Sequence, residues 1–114
     1  MAAGYFFDTA GGEWKPHPRF AGAFVLPLIA AAHNPGLTVS LVRLMPGAAL
    51  PVHVHQNSIE TFYVLRGIGV CRVGESECKI KPGWLGYAPP VIEHSIRNTG
   101  DEPLEAISIF NPPL

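Results

Sequence analysis

Charge is scarce in this sequence, and so are cysteines and long uninterrupted apolar stretches. Charged residues make up 15% of the 114 positions, and the formal net charge is −1. A chain so weakly charged offers little electrostatic attraction to nucleic acid or to an anionic membrane, so we expect neither as a partner. The longest apolar run, residues 20–32, contains a glycine and a proline and is too short to span a bilayer.

The two cysteines, Cys71 and Cys78, flank a turn at residues 74–76 almost symmetrically. If Val73 and Ser76 close a hairpin, the two thiols face each other across it. A disulfide there would close a very small loop and stabilise little. The start of the chain shows no basic region followed by an apolar one, so we predict a cytoplasmic location, in which the two thiols stay reduced.

Glycine and proline, by contrast, are abundant, with twelve of each. They divide the chain into short segments rich in Val, Ile, Leu, Phe and Tyr, and none of these segments keeps a helical period. The pattern predicts nine strands, near residues 24–31, 38–45, 49–53, 60–66, 69–73, 77–81, 85–88, 93–98 and 104–110. Because many short antiparallel strands need closure or a second sheet to protect their edges, we expect an all-β fold.

The length of the chain leaves room for one core, so we expect a single domain over residues 1–114. Within it, residues 1–36 would form an N-terminal arm and strands, and residues 37–114 the core of the fold.

The residues best suited to chemistry are three histidines and a glutamate. His53 and His55 are two positions apart, so an extended strand would direct both imidazoles to one face. Glu60 follows on the return strand after a short polar loop, and His94 comes from a later hairpin. Imidazole nitrogen and carboxylate oxygen are ligands of divalent transition ions, so the spacing predicts one metal ion bound by these four side chains.

Two motifs that contain these residues resemble the motifs of the cupin family. The first is filled by Gly47, His53, His55, Glu60 and Gly67. The second is filled by Gly83, Pro89, His94 and Asn98. Val91 stands where the family has glycine, and a β-branched residue disfavours positive φ. A different turn, built by Pro89 and Pro90, is therefore the alternative just before His94.

The resemblance implies a double-stranded β-helix, or jelly-roll barrel, with one divalent transition ion. Iron, manganese, nickel, copper and zinc are all candidates, although zinc prefers four ligands and would leave no open position. The resemblance also implies a metal-dependent enzyme of the oxygenase, isomerase or lyase type, with dioxygenase-like chemistry first, acting on a small oxygen-rich or anionic molecule. The alternative is a non-catalytic module that binds or senses a small, sugar-like molecule.

Strand alternation indicates a pocket wall around the ion. Phe62 and Val64 share the face of Glu60, and Ile96 shares the face of His94. Such apolar groups would surround the ion and exclude water. Ordinary core packing is the alternative for all three.

The N-terminal region leads to two further expectations. Residues 20–32 are more apolar than one small barrel is expected to bury, so we predict a homodimer. Pairing through N-terminal strands is common among cupins. The remaining histidines, His17 and His33, lie beside proline or asparagine in loop-like stretches, and we expect them to be surface residues or core residues with satisfied hydrogen bonds.

Overall fold

The computed structural model describes Gly4 and residues 6–114. A short 3-10 helix at Thr9–Gly11 precedes ten strands. They are β1 (Lys15–Pro16), β2 (Ala23–Ile29), β3 (Thr38–Leu44), β4 (Ala49–His53), β5 (Ile59–Arg66), β6 (Gly69–Val73), β7 (Ser76–Ile80), β8 (Leu85–Ala88), β9 (His94–Asn98) and β10 (Leu104–Asn111). Within the described residues, no helix has the length and apolar character of a transmembrane span.

The strands form two antiparallel sheets that face each other. The larger sheet has the order β1-β2-β3-β10-β5-β8, and the smaller one has the order β4-β9-β6-β7. Neighbours in the larger sheet are far apart in the chain, because β10 lies between β3 and β5. This is the jelly-roll arrangement, so the predicted all-β fold is confirmed.

All nine predicted strands are present. Three have the predicted bounds, namely β4, β6 and β8, and the other six differ by one or two residues at an end. The additional strand, β1, has only two residues and exists because Lys15 and Pro16 pair with Val25 and Phe24 of β2. A two-residue strand carries no alternating pattern, so the sequence gives no sign of it.

The apolar core joins both sheets. Leu44, Val64 and Leu104, from the larger sheet, are its most completely buried side chains. Cys71 and Ile80 extend the same cluster into the smaller sheet. Burying a side chain such as leucine or valine stabilises a fold by about 1.5–3 kcal/mol, so this shared cluster holds the two sheets together.

The β6–β7 hairpin has the predicted cysteine geometry. Val73 pairs with Ser76, and Cys71 pairs with Cys78 two positions further from the turn. The two cysteines form no disulfide. Burial, together with the nearby charges of Glu60 and Cys78, raises the pKa of the Cys71 thiol to about 11. Cys71 is therefore a protonated, poorly nucleophilic core residue at physiological pH.

The N-terminal segment is attached to the larger sheet. The Arg43 guanidinium lies 4.0 Å from the centroid of the Trp14 ring. Arg43 also donates from Nε to the Glu105 carboxylate at 3.1 Å. Because β2 pairs with β3 over most of its length, part of the first 36 residues is an integral part of the barrel.

Candidate metal centre

Three histidines and a glutamate converge at one end of the barrel. His53 ends β4 and pairs in register with His94, which begins β9. Glu60 lies near the start of β5, and His55 lies in the loop between β4 and β5. One ligand atom from each side chain lies within 4.8 Å of all the others. A small inward movement would bring all four atoms to the metal distances of about 2.0–2.2 Å that nitrogen and oxygen ligands adopt.

Backbone carbonyls orient two of the imidazoles. Nδ1 of His53 donates to the Pro51 carbonyl oxygen at 2.6 Å. Nδ1 of His94 donates to the Ile92 carbonyl oxygen at 3.0 Å. A neutral imidazole with its proton on Nδ1 has a lone pair on Nε2. Both rings can therefore present Nε2 as a ligand atom, His94 after it has lost the Nε2 proton that it donates to Glu60. Metal-binding histidines are commonly oriented in this way.

Glu60 is held in its ionised form. Its Oε2 accepts a hydrogen bond from the Ser108 hydroxyl at 2.9 Å, and its Oε1 lies 3.0 Å from Nε2 of His94. Burial alone would raise the pKa of the Glu60 carboxyl. The contacts with His55, His94 and Ser108 outweigh burial and lower that pKa to about 2. The carboxylate is therefore available to a cation at any physiological pH.

Sequence reasoning missed Ser108. This residue is 2% exposed and pairs with Phe62 across the β5–β10 ladder. The only local sign of its role is a hydroxyl at an inward position of an otherwise apolar strand. Its contact with Glu60 depends on the long-range register of β10, which the sequence does not reveal.

His53 and His94 differ in their protonation. Burial is the largest influence on the pKa of His53 and lowers it. Burial also acts to lower the pKa of His94, but its hydrogen bonds to Glu60 and Ile92 and the charge of Glu60 raise it overall. In the metal-free protein, the first proton that a cation must displace is therefore on His94.

Nε2 of His55 is the atom that most needs a further partner. It is buried and has no hydrogen-bond partner among the described residues. The nearest carboxylate oxygen, Oε1 of Glu60, lies 3.4 Å away. An unsatisfied buried polar atom costs about 1–3 kcal/mol. A divalent ion among the four side chains would satisfy this nitrogen, so the donor set fits a metal ion.

A cleft and a cavity both adjoin the candidate metal-binding side chains. A cleft of about 540 Å³ is open to solvent and reaches His53, His55 and Glu60. A cavity of about 40 Å³ lies deeper in the barrel, and its wall includes Phe62 and Ile96. Two of the three predicted wall residues are therefore next to the donors. Val64, which has no exposed surface, lies in the core cluster.

The two remaining histidines differ in their position relative to the cleft. His33 lies outside the cleft wall and accepts a hydrogen bond at Nδ1 from the Ala30 backbone N–H at 3.0 Å. His17 lies outside the set of four donors, as expected, and it lines the cleft that leads to them. The pairing of β1 with β2 brings His17 there, and that pairing leaves no local pattern in the sequence.

The model of the cupin domain family matches residues 40–110, which include all four donors. This chain belongs to the cupin family. It is 32% identical over 80 residues to the oxalate-binding protein of Thermotoga maritima, covering 70% of this chain and 66% of that protein.

Two further comparisons agree with the family. This cupin is 34% identical over 76 residues to the oxalate decarboxylase of Bacillus subtilis, covering 62% of this chain but only 20% of that enzyme. The structure of KdgF from a Halomonas species matches with a TM-score of 0.87 at 20% identity, covering 98% of this chain and 96% of that one. At that identity the match shows the fold alone.

In this cupin, the turn before His94 forms with Val91 in the left-handed region. Its φ is 60°, a conformation that a β-branched side chain disfavours. The backbone N–H of Val91 donates to the His55 carbonyl oxygen at 2.9 Å. This hydrogen bond joins the loop that carries His55 to the loop that precedes His94. The turn thus keeps the conformation that the family assigns to glycine, and the strain is located at Val91.

Proposed function

We propose that this cupin is a metal-dependent enzyme that binds a small, anionic, oxygen-rich molecule on one divalent transition ion. Its ligands would be His53, His55, Glu60 and His94. The observation that carries this proposal is Nε2 of His55, which is buried on the wall of an open cleft and has no hydrogen-bond partner in the part of the chain that the structure describes. Iron, manganese, nickel and copper would accept these four ligands and keep open positions in an octahedral geometry.

The charge and shape of the site favour a chelating carboxylate. One carboxylate and three neutral imidazoles leave a divalent ion with a net positive charge, which attracts an anion. Two open positions suit a ligand with two neighbouring oxygens, such as oxalate or a 2-oxo acid. Two relatives, one named as an oxalate-binding protein and one as an oxalate decarboxylase, support this class.

The residues of this chain would each have a defined part in such a site. Ser108 holds the Glu60 carboxylate in place. Phe62 and Ile96 limit the space behind the donors and keep it dry. A bound ion would act as a Lewis acid that polarises the C–O bonds of the ligand. Oxygenase, isomerase and lyase chemistry all use such polarisation, with dioxygenase-like chemistry our first choice.

A metal and chelator titration tests this proposal. Protein purified without chelators should contain about one transition ion per chain. After replacement of that ion by Co²⁺, oxalate should change the visible spectrum, whereas metal-free protein should not bind oxalate in calorimetry. Equal oxalate binding with and without metal would contradict direct coordination.

The second candidate is a non-catalytic binding or sensing module. Apart from Arg19 and the three donors His53, His55 and Glu60, His17 is the only ionisable side chain among the described residues that line the cleft. A cleft wall with so few ionisable side chains suits the binding of a ligand as well as its catalytic conversion. NMR of metal-loaded protein with oxalate, 2-oxo acids and simple sugars, in air and without oxygen, separates the two. Chemical change in any probe supports the enzyme, and binding without change in all of them supports the module.

We also propose a homodimer. Within the apolar stretch 20–32, residues such as Val25 and Ile29 line the cleft, so the cleft already uses part of that surface. The outer face of β5 and β8 exposes Tyr63 and Leu85, which makes it a second candidate interface. Light scattering at roughly 20–50 µM, where a stable interface is saturated, should give twice the chain mass. Phe24→Lys would dissociate a dimer formed through β2, whereas Leu85→Lys would dissociate one formed through β8.

A further inference from the structure

The cleft is larger than a two-carbon chelator requires. Its volume of about 540 Å³ equals the share of liquid taken by about 18 water molecules at ~30 Å³ each. Oxalate has six non-hydrogen atoms. Clefts of about 300–1,000 Å³ hold ligands of drug-like size. A chelator of oxalate size on the ion would therefore leave most of the cleft free for a longer ligand.

A cationic side chain lies on the wall of this cleft, and no ion pair is formed by it among the described residues. Arg19 lines the cleft, and its guanidinium lies 5.2 Å from the centroid of the Phe20 ring. The one acidic side chain on the described cleft wall is Glu60, which is already engaged with the other donors. Among the described side chains of the cleft wall away from the donors, Arg19 and His17 are the ionisable ones.

A second donor group lies beside Arg19. The backbone N–H of Arg19 donates to Nδ1 of His17 at 3.1 Å. A neutral imidazole that accepts at Nδ1 carries its proton on Nε2, so His17 offers an N–H donor. The His17 ring stacks on Phe20 with a centroid distance of 4.8 Å. Phe20 thus supports both groups, and this support limits the entropy that each loses on binding an anion.

We propose that Arg19 and His17 form a second anion-binding position for the far end of a ligand whose near end chelates the ion. The ligand class is a 2-oxo acid with a second carboxylate beyond a short apolar spacer. This inference rests on the proposed function, because the near end needs the ion. The guanidinium fork suits a carboxylate, and the wall between includes Ile29, Val42 and Phe110, which suit the spacer.

Two probes of equal length test the charge of the far end. 2-Oxoglutarate and 2-oxopentanoate have the same chelating group and five-carbon chain, but only the former has a second carboxylate. We expect Co²⁺-loaded protein to bind 2-oxoglutarate about tenfold more tightly, a difference of about 1.4 kcal/mol. Arg19→Gln should remove this preference. Arg19→Lys should keep part of it, because lysine retains the charge but loses the fork.

Arg97→Gln is the matched control, since Arg97 is exposed on β9 and is not among the residues of the cleft wall. It should keep the preference in full. If neither acid changes the cobalt spectrum, the proposed function itself is wrong. If both acids change it with equal affinity, the metal site remains and the second anion position is wrong. A preference that persists in Arg19→Gln would also overturn the assignment.

Discussion

Buried polar groups are satisfied differently at the two ends of the barrel. The donor end carries the four candidate metal ligands, and the opposite end carries Asn98. At the opposite end, Asn98 is 2% exposed. Its Nδ2 donates to the carbonyls of Leu44 at 2.9 Å and Glu102 at 2.8 Å, and its Oδ1 accepts from the Gly100 N–H at 2.8 Å. At the donor end, Nε2 of His55 is buried without a hydrogen-bond partner among the described residues. The protein alone satisfies the buried polar groups at the opposite end, whereas a bound cation would satisfy the one left at the donor end.

The two ends share their strands. His94 begins β9 and Asn98 ends it, while Glu60 lies near the start of β5 and Gly67 follows its end. Gly67 has a φ of 82°, and a Cβ on it would collide with the Pro103 carbonyl oxygen. Each cupin motif therefore has one part that would supply metal ligands and one part that stabilises the opposite end of the barrel. We expect changes at the donor end to alter metal binding and changes at the other end to alter stability.

Removal of one ligand should have the largest effect. His94→Ala should weaken metal affinity by more than about a hundredfold, because the loss of outer partners alone costs about 10–100-fold. Metal content and competition titrations measure this, with circular dichroism to confirm that the variant folds. His33→Gln, which changes a histidine outside the cleft, should retain full affinity. Full metal occupancy in His94→Ala would remove the β9 end from the metal centre.

The next effect in size is expected at the opposite end. Asn98→Ala removes three hydrogen bonds and leaves buried backbone groups unpaired, so the free energy of unfolding should fall by about 2–4 kcal/mol. Urea denaturation of the metal-free protein measures this loss. The folded fraction should still bind one ion per chain. Unchanged stability together with lost metal binding would reverse the roles assigned to the two ends.

Lowering the pH should weaken metal binding at the donor end more gradually than these substitutions do. Because the pKa of His94 is raised by Glu60 and Ile92, protons compete with the metal already near neutral pH. Metal affinity should fall about tenfold per pH unit below that pKa, or ~1.4 kcal/mol, and more steeply once His53, whose pKa is lowered, is also protonated. Glu60, with a pKa of about 2, stays ionised throughout. An affinity that is flat from pH 7 to about 5 would contradict histidine ligation.

The contribution of His94 to the stability of the metal-free protein should change with pH in the opposite direction. A raised pKa means that the protonated His94–Glu60 pair stabilises the fold below the unfolded histidine value of about 6.5. This contribution is lost as the pH rises through the folded value. The lowered pKa of His53 acts in the opposite direction, so the effect is best measured as the difference in thermal midpoint between metal-free wild type and His94→Ala, which should shrink from pH 6 to 8. A difference that stays constant over this range would contradict the stabilising His94–Glu60 pair.

The strands and the four donors could be predicted because their signals are local. Alternation with a period of two identifies strands such as β4 and β6, and the two-residue spacing of His53 and His55 is visible without a fold. Ser108 and His17 could not be assigned, because their positions depend on pairings between distant segments. Ser108 reaches Glu60 only because β10 lies beside β5, and His17 reaches the cleft through the β1–β2 pair.

The apolar stretch 20–32 shows the same limit of prediction from sequence alone. Its apolar composition indicated a surface that needs a partner, and the homodimer stays a prediction. Part of that surface lines the cleft, because β2 lies beside β3 in the larger sheet. Composition alone cannot distinguish a wall that contacts a ligand from a face that contacts a second chain.

The smallest expected effect concerns Val91, whose turn links the two ligand loops. A β-branched residue at a φ of 60° carries a strain of about 1–2 kcal/mol that glycine does not have. Glycine also costs about 0.5–1 kcal/mol more backbone entropy on folding. Since the Val91 side chain is 59% exposed, its loss removes little packing. Val91→Gly should therefore raise the free energy of unfolding by about 0.5–1 kcal/mol in urea denaturation.

Metal affinity should not change in Val91→Gly, because glycine keeps the backbone N–H that donates to the His55 carbonyl. Val52→Gly is the matched control. Val52 has a similar exposure of 58% but lies in strand β4, where glycine relieves no strain and weakens the strand. The two substitutions should thus shift stability in opposite directions. Destabilisation by both would show that the Val91 side chain contributes packing that outweighs its strain.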